Sequence, residues 1–75
     1  MKTKIRTFKN DIQEVKITIT ESIGNFYFTT IEFRDINTNK EFKKYNGCDG
    51  IYEGIKNLNK SINGFCKRHK LVEVK

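Results

Sequence analysis

The apolar residues of this chain change their period once, and that change limits the fold more than any other feature of the sequence. Val15, Ile17 and Ile19 alternate with Lys16, Thr18 and Thr20. A period of two, with β-branched residues throughout, marks a half-buried strand. Ile51, Ile55, Leu58, Ile62 and Phe65 recur instead at spacings of four, three, four and three. Those spacings place them on one stripe of a helix. A sheet face and a helix stripe each need cover, and in 75 residues they must cover one another.

The remaining elements fall around these two. Residues 2–9 alternate weakly, with Ile5 and Phe8 apolar, and predict an edge strand whose lysines discourage edge-to-edge pairing. Asn10-Asp11 is a turn signal, and Glu21–Asn25 is another, with Gly24 free to take positive φ. Residues 26–35 carry the strongest strand signal, but its phase has two solutions. A regular strand puts Phe26 and Phe28 on the face opposite Ile31 and Phe33. A bulge at Thr29-Thr30 brings all four inward.

After a turn at 36–40, residues 41–45 predict a short hairpin strand that Asn46-Gly47-Cys48 ends. Asp49 has the chemistry of a helix N-cap, and the helix is expected to reach His69. Gly54 and Gly64 lie inside it, there for close approach to the sheet or by drift. Leu71, Val72 and Val74 mark a short closing strand or an anchoring tail. The expected fold is thus one small α+β domain over residues 1–75. It comprises a three- to four-stranded antiparallel sheet packed on one C-terminal amphipathic helix, with or without a final strand.

The charge is lopsided. The chain carries a net +6, and the excess sits at its ends. Lys2, Lys4, Arg6 and Lys9 lie in the first nine residues, and Lys67, Arg68, Lys70 and Lys75 in the last nine. If the ends meet, they form one basic patch that attracts polyanions. Net charge that serves only solubility is the plainer explanation. No apolar run is long enough to span a membrane. The basic N-terminal residues lack the apolar core of a signal peptide, and two cysteines suit a reducing compartment. The expected location is cytoplasmic. Abundant Lys, Asn, Ile and Phe, without Ala or Pro, suit the AT-rich codons of a low-GC bacterium, phage or mobile element.

Chemistry-bearing groups are sparse. His69 has Cys66 one helical turn before it, and two ligands do not close a zinc site. Cys48, next to Gly47 and ahead of the helix, has either a lowered pKa or a purely structural role at a tight junction. No phosphate loop, nucleotide fingerprint or acid–base pair is present. An enzyme, a metal and a cofactor are therefore not expected.

Aromatic residues among bases carry the most functional content. Exposed rings stack unpaired bases, and lysines neutralise phosphates. On that ground Lys2, Lys4, Arg6, Lys16, Phe26, Phe28, Lys43, Lys44, Arg68 and Lys70 are candidate nucleic-acid contacts. Packing these rings into the core is the competing use for them. The order of strands followed by one helix resembles the single-strand DNA-binding modules of transcriptional coactivators. It also resembles the arm-binding domains of mobile-element integrases. The resemblance implies a DNA-binding accessory role but assigns no residue. The alternative is a protein–protein interaction module, such as a phage or mobile-element inhibitor of a host protein, anchored on Phe26 and Phe28. A homodimer that buries the same patch is compatible with either.

Overall fold

The computed structural model describes residues 2–38, 40–44 and 50–74. In chain order these form β1 (Lys2–Lys9), β2 (Gln13–Glu21), β3 (Phe26–Asp35), β4 (Lys43–Lys44), β5 (Gly50–Glu53), α1 (Ile55–His69) and β6 (Val72–Val74). All the strands join one antiparallel sheet of order β4-β3-β2-β1-β6, with β5 also paired to β3. The α+β class stands, but the sheet has six strands rather than three or four. Two of the additions were hidden in other expectations. β5 occupies residues assigned to the first turns of the helix. β6 is the closing strand, and it pairs with β1 so that Phe8 faces Glu73. β1 is therefore flanked on both sides along its second half.

The phase of β3 is settled by its register. Pairing with β2 runs without a break from Gln13↔Asp35 to Glu21↔Tyr27. There is no bulge, so Ile31, Phe33, Thr29 and Tyr27 share one face, and Phe26 and Phe28 take the other. The first face meets the helix. Phe8, Val15, Ile17, Ile19 and Ile31 pack there with Leu58, Ile62, Phe65 and Leu71 in one buried cluster. The helix stripe read from the sequence is correct from Leu58 onward and wrong at Ile51, which lies on β5 and is 66% exposed.

The helix begins later than expected because its entry is set by Gly54. That residue is the N-cap, at φ 81° and ψ 149°, with no side-chain cap. Asp49, the expected cap, lies outside the described residues, as do Tyr45 and Cys48. Few residues other than glycine adopt such a conformation. Gly64, by contrast, sits mid-helix, where an added methyl would meet nothing nearer than the tip of Arg68 at 3.8 Å. The two glycines should therefore respond oppositely to alanine. Gly54→Ala should lose about 1–3 kcal/mol, and Gly64→Ala should gain up to about 1 kcal/mol. Urea titration of both variants checks this, and equal signs would contradict it.

At its other end the helix stops on Lys70 in the left-handed region, φ 53°, while the Leu71 amide donates to the Cys66 carbonyl at 2.8 Å. Asn10 ties this end to the β1–β2 turn. Its Nδ2 donates to the His69 carbonyl at 2.9 Å, and its Oδ1 accepts from the amides of Ile12 and Gln13.

Candidate functional site

The sheet has two unlike sides, and cross-strand pairing assigns each candidate residue to one of them. Lys2, Lys4 and Arg6 stand opposite Glu21, Ile19 and Ile17, so they lie on the helix side. Lys43, opposite Phe33, lies there too, while its neighbour Lys44, opposite Glu32, lies on the open side. Lys16, Phe26 and Phe28 are on the open side. Arg68 and Lys70 belong to the last turn and cap of the helix. The ten candidates therefore divide between two surfaces instead of forming one.

The open side is close to electrically balanced. Its strand residues include four bases, Lys9, Lys16, Arg34 and Lys44, and three acids, Glu14, Glu32 and Glu53. Two of the bases are bound up with acids and a ring. Lys16 lies 3.6 Å from Glu32, and Arg34 3.1 Å from Glu14. Both stand over the Phe42 ring, at 4.7 and 4.5 Å from its centre. What the open side does expose is apolar. Among the described residues, nine large hydrophobic side chains are exposed. Six of them, Ile5, Phe26, Phe28, Ile51, Val72 and Val74, share this face. Phe26 and Phe28 are about two-fifths exposed, at 40% and 41%.

The helix side is basic. From Ile55 to Lys70 there are five lysines and arginines and no acid: Lys56, Lys60, Lys67, Arg68 and Lys70. Three of these, Lys56, Lys60 and Lys67, are spaced by four and seven residues. At about 100° per residue they fall within roughly 40° of one another, on the crest opposite the buried Leu58 and Phe65. Asn63 completes the row, and all four are exposed. Lys56, Lys60 and Lys67 are not among the candidates chosen from the sequence. The signal was available in their spacing, which the tally at the chain ends concealed.

Lys2 and Lys4 extend this surface. Together with Glu21, Tyr27, Ile55 and Asn59 they line a shallow cleft beside the first turn of the helix, where Glu21 offsets part of their charge. The two basic ends of the chain do neighbour one another through the β1–β6 pairing. However, Lys2 and Lys4 lie at the far end of β1 from Arg68 and Lys70. The crest lysines run along a helix about 22 Å long, from the end beside Lys2 and Lys4 to the end that carries Arg68 and Lys70.

Arg6 is committed elsewhere. Its Nε and Nη2 donate to Glu73 at 2.9 and 2.8 Å, which clamps β1 to β6. Hydrogen bonding to Glu73 holds the guanidinium above its ordinary pKa, against an opposing effect of burial. Close by, burial pushes the Cys66 thiol up, with Arg6 opposing and Glu73 adding. A raised thiol is a poor nucleophile at neutral pH. Iodoacetamide should therefore modify Cys66 more slowly than it does an unstructured cysteine peptide, and the rate should climb only in alkaline solution. Peptide-resolved mass spectrometry reads this out, and modification at the peptide's rate would contradict it. By linkage, the thiol's contribution to stability is present below the ordinary thiol pKa and is lost as pH rises through the raised one.

Among the described residues no group of three or more His, Cys, Asp or Glu is placed to hold a metal. No helix among them is long and apolar enough to cross a membrane. The chain matches no family model, no curated protein and no solved structure with which it was compared.

Proposed function

We propose that this chain is a small nucleic-acid-binding accessory protein that contacts phosphates through its helix side. The observation that carries this reading is the unopposed charge of the helix. Lys56 and Lys60 are like charges four residues apart, which is mildly unfavourable. Lys56 also stands in the first turn, where the helix dipole disfavours a cation, and that turn holds no acid. Charge needed for solubility alone would not have to collect on one element in an arrangement that costs that element stability. A polyanion repays the cost. It neutralises the stripe, and counterions leave the nucleic acid as it binds.

Among the described residues no exposed ring accompanies the crest lysines, so base stacking is not the proposed source of affinity. Contact is to the backbone, with little preference between single and double strands and little sequence selectivity. Lys2, Lys4, Arg68 and Lys70 of the candidate set remain part of the proposed surface, joined by Lys56, Lys60 and Lys67. Phe26, Phe28, Lys16 and Lys44 fall outside it.

Fluorescence anisotropy with labelled single- and double-stranded oligonucleotides at low salt tests the assignment. Both should bind, and Phe28→Ala should leave binding unchanged. A strong preference for single strands that Phe28→Ala abolishes would move the contact to the open sheet face.

One observation favours the second reading, a protein-interaction module such as a phage or mobile-element inhibitor. It is the clustering of exposed apolar side chains on the open face, since large exposed apolar patches mark protein contacts.

A further inference from the structure

We infer that the open face of the sheet is covered by a second copy of this chain, giving a homodimer packed sheet on sheet with the two helices outside. The inference rests on the protein-interaction reading of that face and is independent of nucleic-acid binding.

Three features favour a second copy over other occupants. The first is charge. Copies approaching by their helix sides would bring two unopposed basic stripes together. Copies approaching by their open faces meet near-balanced charge, much of it already paired as Lys16–Glu32 and Arg34–Glu14. The same balance gives a polyanion little to hold there. The second is size. Three strands of eight to ten residues, flanked by the short β4 and β5 on one side and the short β6 on the other, make a face about 20 Å across and about 27 Å along the long strands. Interfaces of standard size take about 800 Å² from each partner, so one such corrugated face is of the right order. The third is shape. Away from its charged end, which the β6 valines border, the face carries Thr18 and Thr20 between Ile5 on one side and the rings of Phe26 and Phe28, with Ile51 beyond them, on the other. Small and β-branched residues between larger ones suit two sheets packed about 10 Å apart.

Sedimentation equilibrium of the full chain tests the inference. The wild type should be a dimer in the micromolar range. Thr18→Lys, near the middle of the face on the central strand, should weaken association on the order of 100-fold by setting an unpaired charge into the interface. Ile51→Lys, at a residue already two-thirds exposed in the protomer, should do the same and decides the matter if Thr18→Lys fails the circular dichroism check for folding. Lys60→Glu, on the helix crest, should leave the dimer intact. A wild type that stays monomeric up to about 100 µM overturns the inference, because standard interfaces reach micromolar affinity or better. A dimer that survives both lysine substitutions overturns it as well, since association would then use another surface. Either failure leaves the oligonucleotide test of the helix side untouched.

Discussion

Replacing Leu58 with alanine should cost about 2–5 kcal/mol, which is most of the stability a domain of this size possesses. Leu58 is 1% exposed and sits at the centre of the cluster that joins the helix to Val15, Ile17 and Ile31. The truncation removes three carbons and leaves a hole that a single helix on a single sheet has few neighbours to fill. A thermal melt followed by circular dichroism should show the midpoint falling by about 8 °C or more, given about 4–8 °C per kcal/mol in small domains. Ile51→Ala is the informative companion. A helix that began at residue 50 and buried its whole apolar stripe would bury Ile51 with Leu58 and make the two substitutions comparably damaging. With Ile51 on β5 and exposed, its loss should cost less than about 1 kcal/mol. A large effect at Ile51 in the isolated protomer would contradict the placement of β5.

Reversing the crest charge, with Lys56→Glu, Lys60→Glu and Lys67→Glu together, should abolish nucleic-acid binding while the fold persists. All three side chains are exposed and point away from the core. Lys56→Glu gains from the helix dipole what Lys67→Glu loses, so net stability should change little. Binding should fall on the order of 1,000-fold at low salt, since three phosphate contacts become three repulsions. The same triple reversal on the open face would require Lys9, Lys16 and Lys44, and there the effect should be small. Comparable losses from the two faces would mean that only net charge matters.

The parts of this fold that were legible in the sequence are those in which side-chain period and burial agree. Val15, Ile17 and Ile19 alternate because β2 is central and covered on one face only. Leu58, Ile62 and Phe65 keep helical spacing because one stripe meets that face. The N-terminal boundary of the helix was not legible. Ile51 happens to stand four residues before Ile55, which is a helical interval, and nothing in that spacing reveals the change of direction at Gly54. Only the positive φ there does, and many glycines lack one. The phase of β3 was undecidable for a different reason. Phe26 and Phe28 are large enough to belong in a core, and only the unbroken register with β2 shows that they do not.

The candidate site was legible in composition but not in place. Counting charge along the chain found the basic ends. It could not show that pairing of β1 with β2 turns Lys2 and Lys4 toward the helix, or that Glu73 takes up Arg6. It also passed over the helix crest, because Lys56 and Lys60 lie in a stretch whose net charge is close to zero. Most of the acids that balance them in that tally lie on other elements, among them Glu14 and Glu21 on β2 and Glu32 on β3.

The proposed neutralisation of nucleic-acid phosphates by the basic helix side is best checked by the salt dependence of wild-type binding to duplex DNA. If the seven bases Lys2, Lys4, Lys56, Lys60, Lys67, Arg68 and Lys70 each neutralise one phosphate, the logarithm of the affinity should fall against the logarithm of salt with a slope of about −6. Binding should be tight near 50 mM salt, with a slope of roughly that size. Absence of binding at low salt, or a slope close to zero, would contradict the proposal.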